Sequence, residues 1–582
     1  MPLWKNIKDA NSAPKFVTDA ATGETGVQEY NTQMFYISGN EGYPVSPGWA
    51  RRTIKGSRTL WESVAAIRSP IMDVFVKRLA HRVYGPGYNL GTAPLTGDGT
   101  QKTYAATFVN DSGFAIDAMS IMLQGWTLRT TGTTDTGNTF TVTGTVEYPV
   151  GGTTTDIGSI AVLSGDNVAS ADLVPTTIIP AGASFKVNLF STVPNGQKYI
   201  TNLGFAGLRT HNFMSKLRKL ALFGIGDSIM TNNSGALYNA ATGKCPLYLN
   251  SITGTTAQTY GASSGANFLR QTDLLGKLGV THVVSNFGTN DLAASTTVAN
   301  LKIYLGALKT LVNGKGVKFV QATMTPRTNA IAALSATATS SGTVMTATVA
   351  DATKFIVGNP YVIAGAVETE YNGIRRCSSV NTGNNTVTFV FPGSASPTAS
   401  GSITINQWKP TFQVDWMTKQ YLPGPDSERG QFNAWVRGGG VDDYIEWADA
   451  VEPSRDSGRW LVAGESPFLP APELITVSSV INTTRFNSNY SRGSNTIPNG
   501  IVAAITGANI GTHRTGNGNT TGDITVSTAW TSAQQVGDQY YAIPGTSYMS
   551  DDGLHPRVSG GGKGGQILLD NASADWITSR SA

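Results

Sequence analysis

The sequence predicts a multi-domain chain: an α/β domain on a parallel sheet over residues 214–582, a jelly-roll-like β-sandwich over 86–213 ahead of it, and β modules inserted within it. Three observations lead there. At 582 residues the chain is too long for one hydrophobic core. Between about residues 87 and 212, short runs alternate apolar and polar with period two, as half-buried strands do. Beyond about residue 216, apolar runs that stop at glycine-rich turns alternate with segments of helical period, which is what a parallel sheet needs.

Residues 1–85 read as a turn-rich arm followed by a helical segment. Thr59-Leu60-Trp61-Glu62 has the form of a capping box, and Ser69-Pro70 places proline in a first helical turn. In the sandwich, Phe140-Thr141-Val142-Thr143-Gly144-Thr145-Val146 alternates and is followed by the turn Pro149-Val150-Gly151-Gly152; Phe185 to Phe190 repeats the pattern. The α/β domain opens with Leu220-Ala221-Leu222-Phe223, an apolar run that stops at Gly224-Ile225-Gly226-Asp227-Ser228. A second strand, Val280-Thr281-His282-Val283-Val284, runs into Asn286-Phe287-Gly288-Thr289-Asn290-Asp291. Residues 268–278 read as a helix. So do residues 297–315, where Val298, Leu301, Leu305, Leu308 and Val312 recur at helical spacing. Val317 to Ala322 is the next strand, ending at Thr325-Pro326-Arg327. Alternating runs at 335–405 then predict an inserted small β-domain. A helix over 427–438 and a strand over 444–448 resume the α/β pattern, a long insertion at 453–545 reads as irregular β structure, and 565–576 reads as the closing helix.

Composition narrows the function classes. The net charge of +4 is small for this length, and eleven Lys and Arg against seven Asp and Glu in residues 1–90 account for all of it. No broad basic footprint for nucleic acid is left. Cys245 and Cys377 stand far apart, so neither a disulfide framework nor a thiolate metal site is indicated. The start, Met1-Pro2-Leu3-Trp4-Lys5, lacks the apolar core of a signal peptide, and no run approaches a membrane span.

A serine hydroxyl attacks only when a base accepts its proton. Of five histidines, only His555 has a carboxylate at the spacing that lets it reach the ring across one turn, which is Asp552; Asp551, one residue farther away, is the alternative. The blocks Gly226-Asp227-Ser228, Gly288-Thr289-Asn290-Asp291 and Asp552-Gly553-Leu554-His555 occur in the order of the SGNH (GDSL) hydrolase family, which the chain resembles from about residue 216 to the end. The resemblance implies a flavodoxin-like parallel sheet and a serine esterase with Ser228 as nucleophile, His555 as base and Asp552 as its orienting partner. The oxyanion hole would comprise the N–H groups of Ser228 and Gly265 and the Asn290 side chain, with Gly261 competing for the glycine role. It implies no metal and no cofactor.

Within that resemblance the accessory β modules favour an O-acetylated bacterial surface polysaccharide over a lipid or aryl ester. Residues 1–85, with Pro47-Gly48-Trp49-Ala50-Arg51-Arg52, resemble the attachment pieces of some bacteriophage structural proteins. The expected setting is therefore a virion, such as a phage tail, or the extracellular space, with other virion proteins as partners through 1–85 and a homotrimer as the assembly. A different class of reading, a non-catalytic glycan-binding or structural virion protein that retains the fold, uses the same domains. Because the serine, asparagine and histidine blocks all follow residue 216, a chain beginning near Ser215 is expected to remain active on small esters.

Overall fold

The computed structural model describes residues 93–581 except 111–114, 129–133, 166–168, 212–219, 231–235, 262–271, 273–274, 277, 329–332, 391–397, 408–423, 546–548, 551 and 557–564, together with the strands Phe16–Thr18, Thr25–Gln28, Phe35–Tyr36 and Ala80–Tyr84. The helix starts expected at Thr59 and Ser69, the glycine Gly265 and the alternative carboxylate Asp551 lie outside the described residues.

The α/β domain is built on five parallel strands: β1 (Leu222–Ile225), β2 (Leu247–Leu249), β3 (His282–Ser285), β4 (Lys318–Ala322) and β5 (Asp443–Ile445), in the order β2-β1-β3-β4-β5. Neighbouring residues on each strand face opposite sides, and both sides are covered. Phe223, Val283 and Phe319 point into one cluster with Leu301, Leu305, Leu308, Val312 and Phe432; Leu222, Val284, Val320 and Ile445 point into another with Leu237, Leu569 and Ile577. The helices are α1 (Ala236–Ala241), α2 (Ala257–Gly261), α3 (Thr289–Ala293), α4 (Val298–Asn313), α5 (Glu428–Trp435), α6 (Ala448–Val451) and α7 (Gly565–Ser581). Helix α4 starts where Thr297 accepts a bond from Asn300 N, and α5 where Ser427 accepts one from Gly430 N. The strand expected over 444–448 stops at Ile445, because Ala448 already begins α6, and the closing helix runs on to Ser581.

From β1 the chain moves outward to β2, then returns past β1 to β3. That reversal opens a crevice at the carboxyl ends of β1 and β3, where doubly wound sheets bind their ligands.

The sandwich consists of two four-stranded antiparallel sheets. One orders Thr154–Val162, Phe140–Glu147, Ser184–Thr192 and Gln101–Val109; the other orders Ala169–Leu173, Ala118–Leu123, Phe205–His211 and Ala80–Tyr84. Period-two alternation buries Phe140, Val142, Phe185, Val187 and Leu189 against Ile121, Leu123 and Leu208 of the facing sheet. Two expectations change here. Ala80–Tyr84, read from sequence as the end of a helical segment, is a strand of the sandwich paired with Phe205–His211. The second sheet is also buried on its outer face: Met122, Trp126 and Ala206 share a core with Phe223 and Tyr248, and the Tyr248 hydroxyl donates to Ala206 O at 2.5 Å. The sandwich is thus continuous with the α/β core through these residues.

Both insertions close into six-stranded barrels. The first, between β4 and α5, comprises Leu334–Ser341, Val344–Val349, Pro360–Ala366, Gly373–Asn381, Thr386–Val390 and Gly401–Gln407. The second, between α6 and the Asp-x-x-His block, comprises Glu473–Asn482, Arg485–Ser488, Ile501–Ala504, His513–Thr520, Asp523–Val526 and Gln539–Ile543. In both barrels the strands follow the same neighbour order, first-second-fifth-fourth-third-sixth. They meet through Ile374 on one side and Ile501, Ala503, Tyr541 and Ile543 on the other, with Gly373 so near Gly511 that a Cβ there would overlap its backbone. The irregular β structure expected over 453–545 is therefore corrected to a closed barrel over 473–543. Its register shifts at Val477/Ser479, Val480/Asn482 and Gly516/Gly518 break the period-two signal that sequence reading needs.

Candidate active site

The site is assembled from three loops. The first follows β1, where Gly226 lies so close to Asn286 that a Cβ would overlap the Asn286 side chain. Asp227, fully buried, donates its N–H to Asn286 Oδ1 at 3.1 Å and accepts from Asn286 Nδ2 at 2.7 Å and from Ile229 N at 2.9 Å. This reciprocal strap ties the serine turn to the end of β3. Burial pushes the Asp227 carboxyl up to about 6 despite the bonds from Ile229 and Asn286. Ser228, the next residue, is partly exposed.

The second loop joins β3 to α3. Gly288 there has φ 131°, a conformation that disfavours side chains, and a Cβ would also crowd Met324 Cε at 2.6 Å. The turn delivers Asn290, whose Nδ2 donates to Thr255 O at 3.1 Å. Thr255 in turn donates its hydroxyl to Gly226 O at 3.0 Å, so the Asn290 amide is indexed to the serine turn. That bond takes one N–H of the amide; the second suits an acyl oxygen. Asp291 has a different task, accepting from Ala257 N and Gln258 N at 2.9 and 3.0 Å and so capping α2.

The third loop is the Asp-x-x-His segment, closed by an antiparallel bridge between Ser550 and Pro556. Gly553 has φ 78° and abuts Thr328 O, and its own carbonyl accepts from Thr328 N and from the indole of buried Trp460, each at 3.0 Å. Asp552 Oδ1 accepts from His555 N at 2.8 Å and from Leu554 N and Ser550 Oγ at 2.9 Å; Oδ2 lies 2.7 Å from His555 Nδ1. His555 Nε2 lies 2.7 Å from Ser228 Oγ.

Burial raises the Asp552 carboxyl, but the bonds from the His555 ring and N–H, Leu554 N–H and Ser550 hydroxyl outweigh it and hold the group well below the usual carboxylate range. The bond to Asp552 raises the His555 imidazole above its ordinary value against partial desolvation; Asp227 adds to the rise and Arg327 opposes it. The two side chains are 43% and 52% exposed, so water screens the pair and it adds little to stability. Its effect is on orientation. With Nδ1–H donated to Asp552, Nε2 is left to accept the Ser228 proton.

The structure thus brings Ser228, His555 and Asp552 together and links Asn290 to the same turn. Sequence reading left Asn286, Thr255, Ser550, Trp460 and Arg327 without a role. Asn286 and Arg327 stand at strand ends, the one signal that could have marked them. Of the other histidines, His282 is buried in β3 with its ring edge-on to Trp576, and desolvation pushes it down to about 4; His513 belongs to the second barrel. Among the described residues, no helix is long and apolar enough to cross a membrane.

No family model and no curated protein matches the chain. Among solved structures it is similar to a family two carbohydrate esterase from Clostridium thermocellum in complex with cellohexaose, at 14% identity over 40% of this chain and 73% of that one, with a TM-score of 0.18. It is also similar to the psychrotrophic esterase EstA from Pseudoalteromonas sp., at 22% identity over 18% of this chain and 60% of that one (TM-score 0.15). A third is the salicylyl-acyltransferase SsfX3 of a tetracycline biosynthetic pathway, at 12% identity over 39% and 60% (TM-score 0.16). At these TM-scores the function has to be argued from the site itself.

Proposed function

We propose that this chain is a serine ester hydrolase of the SGNH type that removes small acyl groups, O-acetyl foremost, from a bacterial surface polysaccharide. The observation that carries this reading is the continuous series Ser228 Oγ, His555 Nε2, His555 Nδ1 and Asp552 Oδ2, with 2.7 Å at each hydrogen bond, at the carboxyl ends of β1 and β3. Ser228 Oγ attacks the ester carbonyl while its proton passes to His555 Nε2, and Asp552 stabilises the imidazolium. Negative charge on the former carbonyl oxygen is met by the Asn290 amide and the Ser228 N–H, with Gly265 N as the third donor implied by the family. The imidazolium then gives its proton to the departing sugar oxygen, leaving an acyl group on Ser228. Water, deprotonated by His555, attacks that acyl-enzyme and releases the carboxylic acid.

The polysaccharide substrate is supported by the two barrels, which enter the chain after β4 and before the Asp552 block, two segments that also supply the site's surroundings. In the same reading the protein works on a virion such as a phage tail, or outside the cell. Residues 1–85 join it to other virion proteins, and it assembles as a trimer. Two measurements on the full chain test the enzymatic part: turnover of p-nitrophenyl acetate, and mass spectrometry of covalent labelling by a fluorophosphonate. Turnover with labelling at Ser228 is expected. Absence of both would leave the glycan-binding or structural reading in its place.

A further inference from the structure

The loop that carries Asp552 and His555 is docked through one carbonyl, that of Gly553. This oxygen accepts from Thr328 N and from Trp460 Nε1, each at 3.0 Å. A peptide unit is planar, so two donors that fix its oxygen also fix the N–H on its other side, which belongs to Leu554. Leu554 N donates to Asp552 Oδ1 at 2.9 Å, and the other carboxylate oxygen, Oδ2, lies 2.7 Å from His555 Nδ1. The Asp552 and His555 side chains are half exposed, so water competes for both. The direction of the carboxylate is therefore set by its contacts with the loop backbone, and the backbone is held from the buried side by Thr328 and Trp460.

Trp460 comes from the segment between α6 and the second barrel, not from the sheet that carries the rest of the site. Its side chain is fully buried, in a core with Trp447, Leu469, Met549 and Leu569. Its backbone is clamped on both sides. Leu461 N donates to Val451 O at 2.7 Å. Arg459 Nη1 donates to Trp460 O at 3.1 Å, and Nη1 and Nη2 pair with the Glu465 carboxylate at 2.8 and 2.6 Å, which also accepts from Val462 N at 2.9 Å. Val462 and Ala463 then pack on Ile356 of the first barrel. The indole N–H therefore has a fixed origin as well as a fixed target. Trp447, buried in the same core, donates its N–H at 2.9 Å to Ser573 of α7 instead, so packing in this core does not by itself require a bond to the catalytic loop.

We infer that Trp460 is a positioning residue for ester hydrolysis: through the Gly553–Leu554 peptide it aims the Asp552 carboxylate at His555 Nδ1, and so holds Nε2 towards Ser228. This rests on the esterase reading above and gives the segment ahead of the second barrel a part in the same site.

The test follows p-nitrophenyl acetate turnover by the full chain across a buffered pH series, for the wild type, Trp460→Phe and a chain with benzothienylalanine in place of Trp460. The last keeps the shape of indole but has sulfur where the N–H was, and guards against a Phe variant that misfolds. Both variants should lower kcat by about tenfold or more, the effect of one lost hydrogen bond, with KM within about twofold of wild type. Because the Asp552 bond raises the His555 imidazole and the neutral ring is the active form, loosening that bond should also move the acid limb to lower pH; Asp227 and Arg327, the other charged groups that act on the ring, are untouched. Trp447→Phe loses a bond of the same kind in the same core and should lower the Tm by a similar amount, with kcat and the acid limb as in the wild type. In an Asp552→Asn background Trp460→Phe should cost nothing further in kcat, since the route to the base is already cut. A benzothienylalanine chain with wild-type kcat and acid limb, or the same fold-loss from Trp460→Phe in both backgrounds, would overturn the inference while the esterase reading stood. A wild type inert towards p-nitrophenyl acetate would instead remove the esterase reading beneath it.

Discussion

Gly226→Ala tests whether the strap between Asp227 and Asn286 sets the position of the serine. The added methyl group would occupy the space of Asn286 Oδ1. That amide cannot swing aside freely, because it accepts from Asp227 N at 3.1 Å and donates to Asp227 Oδ1 at 2.7 Å, and both residues are buried. Losing the two bonds leaves buried polar groups unsatisfied at about 1–3 kcal/mol each, so Gly226→Ala should destabilise the α/β domain by about 2–6 kcal/mol. If the serine turn instead moves to keep the bonds, Ser228, two residues on, leaves its place 2.7 Å from His555 Nε2; a shift of about 1 Å costs on the order of a hundredfold in rate. Thermal unfolding and kcat on p-nitrophenyl acetate, read together, separate these routes. Asn286→Ala alone should cost about 1–3 kcal/mol, but it removes the atom that Gly226→Ala collides with. The double variant should therefore be more stable than the sum of the singles by about 2 kcal/mol. Gly306→Ala, in α4 with nothing within 4 Å of the new methyl group, serves as the control and should stabilise by about 0.5–1 kcal/mol. A Gly226→Ala protein with wild-type Tm and kcat, or strict additivity with Asn286→Ala, would refute the strap.

Ser228→Ala should abolish ester turnover with the Tm little changed; residual turnover above a few per cent would point to another nucleophile. Asn290→Ala should lower kcat about a hundredfold or more with little change in KM, and a rise in KM alone would mark a turn residue instead. Because the Asp552 bond holds the His555 imidazole above its ordinary value, and neutral imidazole is the active form, kcat/KM should rise with pH through an ionisation above about 6.5. In Asp552→Asn that limb should move to lower pH and kcat should fall by at least a hundredfold, measured across a buffered pH series. A chain beginning near Ser215 should aggregate or unfold at lower temperature, since it bares Phe223 and Tyr248 where Met122, Trp126 and Ala206 cover them; a soluble, fully active fragment by light scattering and turnover would show the shared core to be dispensable.

The features legible in the residues alone are local ones. Helix α4 was legible because its buried residues recur on one face and Thr297 caps it, and both features lie within a few residues of each other. The reach of Asp552 to His555 was legible for the same reason: three residues span one turn, and the bonds from His555 N and Leu554 N shape that turn around the carboxylate. The apolar runs of β1 and β3 marked the strands because burial on both faces leaves few polar positions, only His282 and Ser285 in β3 and none in β1. Features that depend on distant pairing emerge with the folded chain. His555 meets Ser228 across 327 residues, through two inserted barrels, and no spacing in the chain encodes that contact. The second barrel was hidden because its bulged, Thr- and Asn-rich strands carry little alternation until they are paired. Ala80–Tyr84 became a strand because Phe205–His211 offered an edge to pair with. Asn286 and Arg327 acquired their places from neighbours brought in by the sheet order, Asp227 from the loop after β1 and Thr289 from the start of α3, since the roles of polar side chains are set by partners and not by propensity.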